Sequence, residues 1–368
     1  MEHSFTPVIR KALAAEFGTA SESVFTANPV LQYLNIKTRA ADRGSKARSS
    51  FANIYAIYVL VEDYVKKGFA GTRRYKTYEG AKFSDLFLRQ RQLPFGSKLQ
   101  NHALNHRLNE EFHKFFPTCD YLPILRNVET NRYWFNEHLL VVAVGKRKYN
   151  IAKALLKIID AYIAVKQDAF ARFIQACEKL SDLEGTSEGE AIDFVTGLLS
   201  PNVDARLFEI VSYSILKAFY HGQTVFFGFQ LDEIQEENLA LYKTGRTNAN
   251  DGGIDFVMRP LGRFFQVTET TDVKKYFLDI DKIERYPITF VIKSELSIDE
   301  LKASLRDKAA KLYAVTAIVD KYMSCIEEVI NLPLLIERFE QTVSAGRLKD
   351  VLAEIVTQSK VEFSYDEE

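Results

Sequence analysis

The sequence predicts a mixed α+β or α/β chain in three parts: a helical N-terminal domain, an α-β-β-β-α-β core and a helical C-terminal extension. Three observations carry this. Between residues 204 and 293 a helix-like apolar pattern gives way to three short apolar runs, then to another helix-like stretch and a proline-bounded run. On either side of that block, apolar residues recur at helical spacing. Ser181 to Glu190, rich in Gly, Ser and acids, is the best linker in the 368 residues. The expected domains are therefore 1–185, 195–295 and 296–368.

The N-terminal part opens with helices. Ser49 to Lys67 carries apolar residues at 51, 54, 55, 58, 59, 61 and 65 and stops at Gly68, so its aromatics read as core. Asn101 to Phe116 and Tyr149 to Leu180 read as further helices, the latter continuous or jointed. Lys146, Arg147 and Lys148 after Gly145 read as a solvated helix entrance. His102 and His106 stand one helical turn apart, a spacing that can bind zinc, but no third ligand falls on their face and no metal site is expected there.

In the core, Asp204 is a good N-cap for a helix running to Tyr220, with Pro201 just outside and Gly222 as a stop. Its apolar positions 207, 208, 210, 211, 215, 218 and 219 suit a largely buried helix that contains Glu209. Thr224 to Phe229 reads as the first strand and 230–250 as a polar loop. Gly252-Gly253-Ile254-Asp255-Phe256-Val257 and Phe265-Gln266-Val267-Thr268-Glu269, separated by Leu261-Gly262, read as a tight hairpin. A carboxylate inside an apolar strand needs a partner, because burying it alone is costly. Asp255 and Gln266 on one face of a hairpin could share a divalent cation. Thr271 to Glu284 reads as a helix, and Pro287 to Lys293 as the next strand.

This order, with Phe208-Glu209 in the helix, Asp251-Gly-Gly-Ile-Asp255 entering a strand and Gln266-Val-Thr268 in the next, resembles the PD-(D/E)XK nuclease superfamily. Within it, the likeness is to restriction endonucleases with an Mrr-type core motif, over residues 200–295. The resemblance implies that Asp255 and Gln266 hold Mg²⁺, with Glu209 completing the site. It also implies a lysine two residues after the Gln, where this chain has Thr268 instead. The resemblance thus makes Thr268 and the adjacent Glu269 candidate catalytic residues, and Lys274, Lys275 and Lys293 candidates for a relocated cation.

Charge is unevenly spread. Residues 1–160 hold 25 Lys+Arg against 14 Asp+Glu, and the remainder 23 against 35. A basic front points to a polyanion. Lys37, Arg39, Arg43, Lys46 and Arg48 precede the aromatic helix, and Arg73, Arg74, Arg89 and Arg91 form a second cluster. Both are candidate contacts to DNA phosphates, the first beside a helix N-terminus whose dipole favours anions. Cys119, Cys177 and Cys325 have no paired spacing, which argues against a zinc ribbon or a disulfide scaffold and suits a reducing cytoplasm. The opening residues lack the pattern of a signal peptide, and no apolar run approaches the ~20 residues that cross a bilayer.

Beyond the core, Ser297 with Glu300 makes a capping box, and two or three more helices follow, broken near Asn331-Leu-Pro333 and at Gly346. The chain has no phosphate-binding Gly-x-x-x-x-Gly-Lys loop and no nucleophile elbow. The expectation is a type II restriction endonuclease, a Mg²⁺-dependent homodimer cutting both strands of double-stranded DNA at a short sequence. A cognate DNA methyltransferase is the expected functional partner. A modification- or structure-dependent nuclease of the same fold and a catalytically decayed DNA-binding protein remain as alternatives.

Overall fold

A computed structural model describes residues 2–39, 41, 47–71, 75–97, 99–181, 188–200, 203, 205–244 and 254–363. The chain forms two compact units, residues 1–172 and 173–368. The division falls inside a helix, ahead of the polar linker, of which residues 182–187 lie outside the described residues.

The first unit contains α1 (Thr6–Phe17), α2 (Ser21–Ala27), α3 (Pro29–Lys37), α4 (Ala47–Lys66), β1 (Ala81–Lys82), α5 (Phe83–Gln92), α6 (Leu108–Phe115), β2 (Ile124–Asn127), β3 (Arg132–Phe135), α7 (Glu137–Leu140), β4 (Val141–Val144), β5 (Arg147–Asn150) and most of α8 (Ala152–Ser181). Helix α4 lies at its centre. Ile54, Tyr55, Ile57, Leu60 and Tyr64 are fully buried, and each such large side chain contributes about 1.5–3 kcal/mol of apolar transfer. The unit is not purely helical. β1, β3 and β2 form a small antiparallel sheet, and β4 pairs with β5. Lys146 and Arg147 therefore belong to a hairpin turned by Gly145 in the left-handed region, not to a helix entrance.

The second unit contains α9 (Glu188–Gly197), α10 (Ala205–His221), β6 (Thr224–Phe227), β7 (Gln235–Asn238), β8 (Ala240–Lys243), β9 (Phe256–Arg259), β10 (Arg263–Thr268), α11 (Val273–Lys282), β11 (Ile288–Ile292), α12 (Ile298–Leu312), α13 (Thr316–Met323), β12 (Ile326–Ile330), α14 (Leu332–Ser344) and α15 (Leu348–Phe363). Five strands form one mixed sheet in the order β12-β11-β10-β9-β8. β8, β9 and β10 run antiparallel in sequence, whereas β10, β11 and β12 are parallel. Strands β10 and β11 are central and almost wholly buried, as parallel strands covered on both faces must be.

Alternation along the strands separates two cores. Phe256, Met258, Phe265, Val267 and Val291 face α10, α14 and α15. Ile288, Phe290 and Ile292 face α11, α12 and α13. The result is a mixed sheet between two helical layers.

Two expectations are corrected. Thr224–Phe227 is a strand, but among the described residues it pairs only with β7, in a separate hairpin. The first strand of the sheet is Ala240–Lys243, inside the segment read as a polar loop. The C-terminal part is also not an all-helical extension. β12 supplies the fifth strand, and Leu335, Phe339, Val351 and Ile355 fill the same core as Phe208 and Phe265. Glu328 of β12 accepts from Arg263 of β10 at 2.5 Å and from Arg338 of α14 at 2.5 Å, and Arg338 also donates to the Tyr220 hydroxyl at 2.9 Å. That network ties the last helices to the sheet. The Ser297–Glu300 capping box is present at the start of α12.

Candidate functional site

Strand direction brings the core candidates to one end of the sheet. β8, β10 and β11 run the same way, so Lys243, Thr268 and Ile292 end at one edge, and β9 starts there. Asp255 immediately precedes β9. Its N–H donates to the Phe265 carbonyl at 2.8 Å, although Phe265 pairs with Phe256, so the ladder slips by one residue at Asp255. The slip lets the Asp255 carboxylate take the Val267 N–H at 2.7 Å. The carboxylate is thus fixed against the strand position between Gln266 and Thr268.

Gln266 and Thr268 are buried and lie in register with Phe290 and Ile292, which face α11. No described residue hydrogen-bonds to Gln266 Oε1, an amide oxygen buried from water. An unsatisfied buried acceptor costs about 1–3 kcal/mol, and it is an oxygen of the kind a hard divalent cation takes. Asp255 and Gln266 thus offer a carboxylate and an amide oxygen of the kinds that such a cation takes.

Glu209 does not join them. It projects from α10 against the opposite face of the sheet, and its Oε1 lies 2.9 Å from the ammonium of Lys243 on β8. Both side chains are nearly buried, and Lys243 lies over the Tyr213 ring. Tyr213 in turn donates to the Leu241 carbonyl at 3.1 Å, and its burial pushes the phenol up to about 12. This arrangement joins α10 to β8 and gives Glu209 an ion-pair partner, Lys243, that the sequence reading did not single out. The signal was available only as a lone cation in a short apolar run.

Glu269 follows β10 and its carboxylate lies 2.8 Å from the Lys293 ammonium at the end of β11. Lys293 is 4% exposed along its side chain, donates to the Val203 carbonyl at 2.6 Å and lies 5.3 Å from the centre of the Phe208 ring. Its own N–H bonds the Thr268 carbonyl at 3.0 Å. Of the three lysines considered for a relocated cation, Lys293 is enclosed at the end of β11, while Lys274 and Lys275 are exposed in the first turn of α11, which follows the end of β10. Lys293 faces α10, however, and Thr268 faces α11.

Among the candidate DNA contacts, Lys37 is bound to Glu111 at 2.6 Å with its side chain buried, and Arg89 makes a two-pronged pair with Glu62 at 2.9 and 3.0 Å. Burial works to raise Glu62, but the Arg89 and Lys66 hydrogen bonds outweigh it and hold the carboxyl below its ordinary range. Lys37 and Arg89 thus each have a carboxylate partner within the first unit. Arg39 is exposed, and Arg91 donates to the Ser97 carbonyl. Arg43, Lys46, Arg73, Arg74 and the side chain of Arg48 lie outside the described residues, as do Asp251 and Asp204.

The His102 and His106 rings lie 5.9 Å apart, His106 within a π-helical stretch, Ala103–Arg107, and His102 just before it. Among the described residues no group of three or more His, Cys, Asp or Glu side chains could hold a metal ion, and no helix is long and apolar enough to cross a membrane. Compared with family models, with curated proteins and with solved structures, the chain matches none.

Proposed function

We propose that the chain is a Mg²⁺-dependent endonuclease of the PD-(D/E)XK type that makes double-strand cuts in DNA at a short specific sequence. The observation that carries this reading is the end of the sheet where the Asp255 carboxylate is pinned beside Gln266, whose side-chain oxygen is buried and unsatisfied. The element order α10-β8-β9-β10-α11-β11, with antiparallel β8 to β10 and a parallel crossover to β11, supports it. So does the excess of cations in residues 1–160.

Asp255 and Gln266 would hold Mg²⁺, which supplies polarisation of the phosphate and a more acidic bound water. The chain's own groups do the rest. The Val267 N–H fixes the direction of the Asp255 carboxylate, so that carboxylate needs no reordering when DNA arrives. Lys293, held by Glu269 and the Val203 carbonyl, provides a fixed positive charge at the same end of the sheet as Thr268. The cations of the first unit that lack a carboxylate partner position the backbone of the duplex.

A second reading keeps the fold and loses the cut. The ion pair of Glu209 with Lys243 favours it, because an acid there is committed to a structural partner. One experiment separates the two: incubation of the full chain with unmethylated plasmid and Mg²⁺. Discrete fragments support the endonuclease. Tight binding in Mg²⁺ with intact plasmid supports the non-cleaving protein. Cutting confined to methylated or branched DNA would instead indicate a modification- or structure-dependent nuclease.

A further inference from the structure

The hairpin β4–β5 ends in three consecutive cations, Lys146, Arg147 and Lys148. Its base is fixed. Val142 is buried in the core of the first unit, and the Tyr149 ring meets Phe17 edge to face at 5.7 Å. The Ile151 N–H donates to the Leu140 carbonyl at 2.8 Å, and the Asn150 amide donates to the Tyr64 hydroxyl at 3.0 Å. The tip is open: Ala143 and every residue from Gly145 to Lys148 are exposed. Gly145 and Lys146 make a two-residue turn, with glycine in the left-handed region at the first place of that turn. Among the described residues none of the three cations has a carboxylate partner. From residue 138 to residue 159 the chain has five Lys or Arg and no Asp or Glu, and Lys157 of these pairs with Glu16.

Direction decides what this charge fits. Side chains alternate along a strand. Arg147 stands across from Val144 and Lys148 across from Ala143, so the two cations leave opposite faces of the ribbon, and Lys146 stands at its end. A flat anionic surface, such as a plane of lipid headgroups, meets one face at a time. A groove with a phosphate chain along each wall meets both. The major groove of B-form DNA, about 12 Å wide and about 8.5 Å deep, admits a two-stranded ribbon. The exposed tip, a turn and two cross-strand pairs, reaches about 10 Å at roughly 3.4 Å per residue. Ala143 and Gly145, both small, keep it slim. In duplex RNA the corresponding groove is too narrow for side chains to read.

We propose that the β4–β5 tip enters the major groove of duplex DNA, with Arg147 and Lys148 on the phosphates of opposite walls and Lys146 at the floor, donating to O6 and N7 of a guanine. This role rests on duplex DNA being the chain's target, and it makes the hairpin an element of sequence preference.

The experiment is binding without cleavage: the full chain in Ca²⁺ with a pool of random-sequence DNA duplexes, the bound fraction being sequenced. The wild type is expected to enrich a short sequence that includes guanine. Lys146→Ala should lose the preference at one guanine and keep the rest. Replacing that guanine by its deaza analogue, which lacks N7, should weaken wild-type binding by about fivefold or more and leave Lys146→Ala unaffected. Arg147→Ala/Lys148→Ala should keep the enriched sequence and lower the salt slope of binding by about 1.8, at about 0.9 per phosphate. Both variants should melt with the wild type, because the replaced side chains are exposed. A pool bound without preference overturns the proposal, as do a sequence and a salt slope that neither variant changes. Binding to phosphatidylserine vesicles and to no duplex also overturns it, and makes the tip a membrane contact. A chain that behaves as expected here and leaves plasmid intact in Mg²⁺ keeps the proposal and loses the nuclease reading. A chain that cuts plasmid while both variants bind as the wild type does the reverse.

Discussion

The ammonium of Lys293 lies 2.8 Å from the carboxylate of Glu269, joining the ends of two neighbouring parallel strands. The pair is asymmetric: Lys293 is almost wholly enclosed, whereas the Glu269 side chain is 39% exposed. A buried lysine with one solvent-facing acid and one carbonyl for company keeps its charge in a fixed place. That is the property a site handling a phosphate requires.

If Lys293 is the cation of the site, Lys293→Ala lowers single-turnover cleavage by about a hundredfold or more, the scale of one charge-stabilising group. Binding of uncut DNA in Ca²⁺ should change little. Lys274→Ala and Lys275→Ala, both exposed on α11, should cut at the wild-type rate. If Lys293→Ala cuts normally, the cation has been assigned to the wrong side chain.

Asp255→Asn keeps an oxygen that can accept from the Val267 N–H, so the slipped ladder should survive. The variant is expected to melt within about 1 kcal/mol of wild type, since one hydrogen bond is at stake. Cleavage should fall below detection while DNA binding in Ca²⁺ persists. Activity above a few per cent, measured as plasmid linearisation, would take Asp255 out of the site.

Glu209 and Lys243 test structure against catalysis. Removing one partner strands the other in a nearly buried position, so Glu209→Gln should destabilise the fold by about 3 kcal/mol. Replacing both, as Glu209→Leu with Lys243→Met, should recover most of that loss in denaturant unfolding. A double variant as unstable as Glu209→Gln would show that packing, not the unpaired charge, sets the cost. A Glu209→Gln variant of full stability and no cleavage would return Glu209 to the metal.

The two groups of N-terminal cations should behave differently. Arg43→Ala/Lys46→Ala/Arg48→Ala is expected to flatten the salt dependence of DNA binding by roughly two to three units, about 0.9 per lost phosphate contact. Lys37→Ala and Arg89→Ala, which break pairs with Glu111 and Glu62, should instead lower stability and leave that slope unchanged. Equal slopes for wild type and the triple variant would mean that the segment around residue 43 does not touch the backbone of the duplex.

Much of the second unit was legible in its residues. The helices at 205–221 and 273–282 follow from apolar periodicity and caps. The β9–β10 hairpin follows from two short apolar runs around Gly262, which turns in the left-handed region. Thr224–Phe227 was legible as a strand but not as an outsider. Its apolar run looks like sheet core, whereas Ala240–Lys243 is short and follows a run of acids. Membership of a sheet is a property of the partners, and local composition does not carry it. β12, Ile-Glu-Glu-Val-Ile, is equally silent, since so short a run fits a buried strand or a turn of helix.

The sequence by itself determined that Asp255, Gln266, Thr268 and Glu269 lie on one hairpin, because a two-residue side-chain period and a tight turn leave little freedom. It also determined the charge division between the front and back of the chain. Only the tertiary structure decided which charged side chains are paired with one another. Glu209 is claimed by Lys243, Lys37 by Glu111 and Arg89 by Glu62. Each pairing joins residues from different elements, distant along the chain, and each forms because burial makes an unpaired charge costly. That cost depends on where packing puts the side chain, which no local pattern encodes.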